Sequence, residues 1–291
     1  MTPEEYCQNK AAKSGSSFYY SFLFLPPEQR MAITALYAFC REVDDVVDEC
    51  NEPEIAINKL AWWRNEINNL FNGQPQHPVT QALKPHIQTF NLPQEYFQEI
   101  IDGMEMDLTI SCYPTFKDLS LYCYRVASVV GLLSVEIFGY EDRNTIKYAH
   151  NLGMAFQLTN ILRDIREDMM RGRVYMPEDD MNTFGVNIHD LKNPATNKQL
   201  QGLLRFQIER ARGYYQKAFE YLPDSDRYKQ RCGIIMAEIY LKLLDEIEND
   251  GCRVLEHRIR LTPVRKLWIT WKTARREKRY NKKKQQTIHA Q

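Results

Sequence analysis

Apolar residues recur at three- and four-residue intervals through most of this 291-residue chain, and no segment sustains the alternation of a half-buried strand. The helical period predicts elements over 28–50, 54–72, 94–111, 115–138, 142–171, 196–221 and 226–249, with a last one near 263–280. Helix-breaking punctuation falls between them, at Pro26-Pro27, Pro53, Gly73 to Pro78, Pro93, Pro114, Pro177, Pro194, Pro223 and Pro263. Segment 115–138 is almost wholly apolar beyond Tyr124, and a helix without a polar face belongs in the middle of a bundle. The pattern predicts an all-α bundle around a deep apolar interior, folded as one domain because no Ser/Gly-rich linker divides the chain. No run of about 18 uninterrupted apolar residues is present, so no membrane-spanning helix is expected.

Two stretches interrupt the apolar pattern in the same way. One holds Tyr37, Arg41, Asp44 and Asp48; the other holds Gln157, Asn160, Asp164 and Asp168. On a helix each set forms a single polar stripe, because its members recur every three or four residues. Carboxylates one turn apart in apolar surroundings are costly unless positive charge meets them. Two such stripes facing each other make a cage for hard divalent cations and a phosphate-bearing ligand. Magnesium takes oxygen ligands, one or two of them carboxylates, and keeps phosphate oxygens or water for the rest. Asp45 and Glu167 stand beside the stripes, Arg41 and Arg163 can meet phosphate with two hydrogen bonds each, and neither stripe holds His or Cys, as zinc or a redox metal would want. Such a cage suits ionisation of an allylic diphosphate, with an aromatic-walled dry cavity for the carbocation. Aromatic residues make up 12% of the chain, enough to wall it.

Composition narrows the reading. The 12 glycines form no G-x-G-x-x-G or Walker pattern, so a conventional nucleotide cradle is not expected. Seven cysteines are scattered without a C-x-x-C pair, and no signal peptide is evident, which reads as reduced thiols and a cytoplasmic protein. The six histidines are dispersed, and the Trp62-Trp63 pair reads as core. The formal charge is zero but uneven. Residues 265–284 carry ten Lys/Arg and one Glu, so the rest of the chain is net −9. Val264, Trp268 and Trp271 recur at helical spacing among those basic residues, as in a segment lying on anionic lipid at the inner face of a membrane. The acidic body speaks against nucleic acid. The expected organisation is therefore a domain over 1–262 and a basic amphipathic tail over 263–291.

SGSSFYYSFLFLPP (14–27), LYAFCREVDDVVDE (36–49), DGMEMDL (102–108), YCYRVASVVG (122–131) and QLTNILRDIREDMMRGRVYMP (157–177) follow one another along the chain. With these motifs in this order it resembles the squalene/phytoene synthase family of head-to-head prenyl transferases, over roughly residues 5–260. The resemblance implies the single-domain isoprenoid synthase bundle and two prenyl diphosphate substrates. It implies magnesium, with manganese as a substitute, bridging the diphosphates to Asp44, Asp48, Asp164 and Asp168, with Asn160 in the metal shell. Ser14, Ser17 and Phe18 are then an entrance flap, although bacterial carotenoid-type relatives can carry His at the position of Ser14. Tyr37, Arg41, Arg163, Gln157 and Asn160 are then phosphate or metal-shell residues, and Asp107 supports that shell or its arginines. Tyr122 and Tyr240 are catalytic tyrosines near the reacting carbons. Val126, Val130, Ala149, Leu152 and Phe156 wall the prenyl tunnels.

Within the family, SGSSFYYSFLFLPP and CREVDDVVDE are most similar to bacterial presqualene diphosphate synthases of the hopanoid route. That similarity implies condensation of two farnesyl diphosphates. The C1 cation of one attacks the 2,3 double bond of the other, and proton loss closes a cyclopropane, with the displaced diphosphate as the base. No flavin, heme or NADPH is expected, and the product passes to a downstream squalene-forming enzyme. The alternatives are phytoene synthase, with twenty-carbon substrates, and squalene synthase, which reduces the intermediate with NADPH. A non-catalytic relative with eroded aspartates and a terpene cyclase with one substrate match the motifs less well.

Overall fold

Every long helix anticipated from the apolar period is present in the computed structural model, which describes residues 1–13, 21–50, 52–193 and 197–289. In chain order they are α1 (Pro3–Lys13), α2 (Pro27–Glu49), α3 (Pro53–Phe71), α4 (Pro78–Thr89), α5 (Gln94–Thr109), α6 (Phe116–Cys123), a π-helical turn (Tyr124–Ser128), α7 (Val129–Phe138) and α8 (Asn144–Met170). They continue with α9 (Glu178–Thr183), α10 (Ile188–Lys192), α11 (Lys198–Tyr221), α12 (Arg231–Asn249) and α13 (Pro263–His289). Among the described residues there is no β-strand, only an isolated parallel bridge between Cys112 and Val174. The starts follow local chemistry. Pro27, Pro53 and Pro78 occupy first-turn positions, where the missing N–H costs nothing. Thr115 and Asp118 form a reciprocal capping box on α6.

The apolar period did not anticipate α1 and α4. The first buries only Cys7 and Ala11, which is too little apolar repetition to register. The second carries Pro85 inside it. The predicted single α-helix over 115–138 is continuous but contains the π turn, one extra residue that re-aims everything after it. At 23 residues, Phe116–Phe138 is long and apolar enough to cross a membrane, contrary to the expectation from uninterrupted runs. It runs instead through the centre of the bundle, against α5 and α8.

Burial divides most of the interior into two large clusters, with a small third one of Leu132, Val135 and Ala149 between α7 and α8. One gathers α1 to α5 and α7, with Leu36, Phe39, Ile67, Phe97 and Ile101 fully covered. The other gathers α6, α8, α11 and α12, with Leu162, Leu204, Ile208, Ile235 and Leu244 fully covered. The π turn lies along the seam, and Val126 packs on both clusters. Glycines let the backbones close in there. A Cβ on Gly153 of α8 would stand 2.5 Å from the Ser128 Cα and 2.7 Å from the Ala127 carbonyl oxygen, both backbone atoms that cannot rotate away. Ser128 donates from its hydroxyl to the His150 carbonyl across the same contact, at 2.9 Å.

Gly153→Ala is therefore expected to destabilise the fold by about 1–3 kcal/mol, although alanine is the better helix former. Urea unfolding checks this; unchanged or higher stability overturns the close-packed seam.

Candidate active site

The two polar stripes rise from opposite clusters. Tyr37, Arg41, Asp44 and Asp48 stand on α2; Gln157, Asn160, Asp164 and Asp168 stand on α8. Between them opens a cavity with about 200 Å³ of space for the centre of a water molecule. Tyr37, Cys40, Gln157 and Asn160 line its polar end, and Val126, Val130, Ala149, Leu152 and Phe156 line its walls. Phe22, Phe138, Tyr148 and Gln230 line it farther down. From Asn160 back to Tyr148 along α8 is a depth of about 18 Å at 1.5 Å per residue. The walls are close to wholly apolar, so a hydrocarbon chain would displace little bound water.

At the polar end, arginines and aspartates interlock. Arg41 donates to Asp44 Oδ2 at 2.5 Å and to Asp45 Oδ1 at 2.6 Å. Arg163 donates through both arms of its fork to Asp164, which also meets Arg258 Nη2 at 2.6 Å. Asp48 receives Arg173 Nη1 and Arg171 Nη1, each at 3.0 Å. Tyr240 donates to Asn160 Oδ1 at 3.2 Å and lies beside Arg163. Ser14, Ser17 and Phe18, the expected flap, lie outside the described residues.

Tyr122 stands elsewhere than the cavity wall. It is buried on α6 and donates to Asp107 Oδ2 at 3.0 Å, while Tyr175 donates to Asp107 Oδ1 at 2.6 Å. The two rings stack with centroids 5.0 Å apart. Arg173 completes the group, with Nη1 4.0 Å from Asp107 Oδ2. Asp107 thus ties the two tyrosines to the arginine that holds Asp48.

Arg173, Tyr175, Arg171 and Arg258 escaped the sequence reading. α8 ends at Met170, and Gly172, at φ +76°, turns the chain back into a non-helical segment. Val174 N–H donates to the Ser111 carbonyl and Glu178 N–H to the Tyr113 carbonyl, both at 2.9 Å, and these bonds strap the segment down. No periodicity reaches across such a turn. The only signal was the Arg-Gly-Arg run directly after the second acidic stripe.

The carboxylates crowd. Burial, followed by repulsion from Asp164 and Asp107, lifts the Asp168 carboxyl to about 7, with Arg171 and Arg173 opposing. Burial lifts Asp44 to about 6 against the pull of Arg41, and Asp48, Asp45 and Asp107 add repulsion. Burial also lifts Asp107 to about 6, with the Tyr175 hydrogen bond and Arg173 opposing. The cluster is short of positive charge and offers oxygen donors only, which fits a hard divalent cation. Among the described residues no three His, Cys, Asp or Glu side chains converge closely enough to hold a metal by themselves. Cation binding here therefore needs additional oxygens, as a phosphate-bearing ligand would bring.

Known proteins resemble this chain along most of its length. The squalene/phytoene synthase family model matches residues 11–265. A 15-cis-phytoene synthase of Synechocystis sp. is 35% identical over 275 residues, which span 90% of this chain and 82% of that one. The crystal structure of a dehydrosqualene synthase in complex with ligand has a TM-score of 0.84 at 29% identity, covering 96% of this chain and 97% of that one. That of a squalene synthase from Alicyclobacillus acidocaldarius has a TM-score of 0.77 at 27% identity, covering 86% and 94% respectively.

The raised carboxyls carry a signed pH dependence. Each takes up a proton on folding between the unfolded range near 4 and its folded value. Their contribution to stability is complete below about pH 4 and is lost as the pH rises through about 6 to 7. In chelator-treated protein, Asp168→Asn is expected to raise the melting temperature at pH 8 and to leave it nearly unchanged at pH 4. Equal shifts at both pH values contradict the charge crowding.

Proposed function

This chain belongs to the squalene/phytoene synthase family of head-to-head prenyl transferases, and from that premise we propose that it joins two farnesyl diphosphates into presqualene diphosphate. The observation that carries the proposal is the pair of aspartate–arginine stripes on α2 and α8 at the mouth of one deep apolar cavity. The likeness to dehydrosqualene and squalene synthase structures supports fifteen-carbon substrates, because squalene skeletons hold thirty carbons. Bulky Phe22, Phe138 and Tyr148 deep in the cavity agree with a bounded chain length.

Asp44, Asp48, Asp164 and Asp168, with Asn160 beside them, would hold magnesium or manganese. The metal, when bound, neutralises charge building on the departing diphosphate. The protein side of the reaction follows from the residues described. Arg41, Arg163 and Arg173 already lie against the acidic stripes, where their forks can turn from carboxylate to phosphate oxygens. Tyr37, Gln157 and Asn160 mark the boundary between the polar mouth and the apolar walls, so a diphosphate head stops there and its chain continues inward. Phe156, with Tyr240 packed on it at a centroid distance of 5.0 Å, sets aromatic faces beside that boundary, where a developing carbocation is stabilised. The walls keep water from the cation. One diphosphate leaves, the C1 of its chain bonds across the 2,3 double bond of the other, and one proton departs as the three-membered ring closes. The released diphosphate, held near the arginines, is the base. Tyr240 orients it through Asn160 and Arg163, while Tyr122 acts from behind Asp107 and Arg173.

A second reading, phytoene synthesis from twenty-carbon substrates, is favoured by the name of the Synechocystis relative. Purified protein incubated with magnesium and either farnesyl or geranylgeranyl diphosphate decides between them by mass spectrometry of the products. Presqualene diphosphate from the fifteen-carbon substrate is expected, with activity lost to a chelator and restored by magnesium or manganese. Phytoene from the twenty-carbon substrate alone establishes the second reading. No condensation with either substrate overturns both.

A further inference from the structure

The basic C-terminal segment is a docked helix rather than a loose tail. α13 runs antiparallel along α12. Ile269, Thr270, Thr273, Ala274 and Glu277 are buried on its inner face. Ion pairs fasten it between its first turn and its middle: Arg265 to Glu246, Arg276 to Glu238, and Glu277 to Arg227, at 2.8, 2.9 and 2.7 Å. Two arginines of α13 thus meet glutamates of α12, and the buried Glu277 of α13 meets an arginine of the body.

The outward face is built differently. Val264, Leu267, Trp268 and Trp271 fall on one stripe at helical spacing and are 77, 48, 55 and 53% exposed. Two adjacent tryptophan-bearing turns left open to solvent are unusual, since scattered single apolar residues are the norm for a surface. Further along the same stripe, Arg275, Lys278, Arg279 and Lys282 are exposed in turn. Lys272 Nζ lies 4.8 Å over the Trp268 ring, and the Arg275 guanidinium lies 5.2 Å over the Trp271 ring. An apolar, tryptophan-bearing half followed by a cationic half, on a helix whose other face is already occupied, matches the interface of an anionic bilayer. Indole rings sit at headgroup depth, and Lys/Arg meet lipid phosphates.

We infer that α13 is a lipid-docking face that seats the protein on an anionic membrane with the mouth of its cavity beside the bilayer. The orientation follows from where the helix begins. The segment leading into it places Arg258 on Asp164, at the second acidic stripe, and Lys266 within the field of Arg163. The exposed apolar turns therefore start at the polar end of the cavity, and the basic turns extend away from it. A hydrocarbon-bearing substrate or product can then pass between lipid and cavity over a short path.

The test uses the full chain and two vesicle types, phosphatidylcholine alone and an equal mixture of phosphatidylcholine and phosphatidylglycerol. Co-sedimentation is expected with the anionic vesicles only, weakening as salt is raised, with tryptophan emission quenched by brominated acyl chains. Trp268→Ser with Trp271→Ser, and separately Arg275→Glu with Lys278→Glu, should each lower the partition coefficient by at least roughly tenfold, and the first should abolish most of the quenching. Both pairs lie on the exposed face, so thermal melting and turnover in detergent should match the parent. Absence of pelleting, or pelleting that neither pair weakens, overturns the inference. So does a lipid-free dimer that dissolves on tryptophan replacement, or retention of an RNA duplex in place of vesicles. The binding readout does not depend on turnover, so an inactive protein that still pellets would count against the proposed reaction and leave the docking face standing.

Discussion

Everything at the mouth of this protein turns on keeping several carboxylates close together at the edge of an apolar interior. Asp44 and Asp48 from one helix and Asp164 and Asp168 from another stand around Asp107, which repels Asp44 and Asp168 alike, and like charges repel more strongly as water is reduced. The structure answers with arginines from three sources. Arg41 and Arg163 come from the stripes themselves, Arg171 and Arg173 from the returning turn after α8, and Arg258 from the segment entering α13. Burial, with repulsion among the carboxylates added, still holds Asp44 and Asp168 above the usual carboxylate range against these arginines. A site left short of positive charge is one in which further cations are favourable, and the same arginines are anion-binding groups once cations take over the carboxylates.

The need to gather these charges explains the architecture around them. One acidic helix belongs to each hydrophobic cluster, so the site lies on a seam rather than inside either core. A seam between two well-packed bodies can stay hollow without a collapsed core. Gly153 lets α8 lie directly on the π turn, and the cavity opens alongside that contact. The strap of residues 172–178 against 111–114 then crosses from the second cluster toward the first and delivers Arg173 to both Asp48 and Asp107.

Much of this was legible in the chain. The long helices announced themselves through apolar period and proline punctuation, and the two stripes through carboxylates at one-turn spacing in apolar surroundings. The stripe residues, from Tyr37 to Asp48 and from Gln157 to Asp168, therefore stand on the two helices that their spacing predicts. Residues placed by turns were missed: Arg173 and Tyr175 depend on a glycine with positive φ, and Arg258 on an irregular segment after α12. Tyr122 was expected beside the reacting carbons, but it is buried on α6 away from the cavity lining, and its hydrogen bonds to Asp107 and Tyr175 could not be read from spacing. Phe138, Tyr148 and Gln230 were missed as cavity residues because a side chain deep in a cavity and a side chain in a core have the same sequence pattern.

The π turn at Tyr124–Ser128 has a consequence for how such a chain can change over evolutionary time. Its extra residue offsets α7 from α6 by about 100° of helical rotation, so Tyr122 can face Asp107 while Val130, Ser134 and Phe138 face the cavity. Removal of one residue from the turn would restore an ordinary helix with the later side chains close to their present bearings, whereas removal of one from α6 or α7 would swing everything beyond it by about 100°. The turn is thus the one place in 116–138 that can lose a residue without re-aiming the cavity wall. Deletions in this helix should therefore collect at 124–128, and drift on either side of it should proceed by substitution.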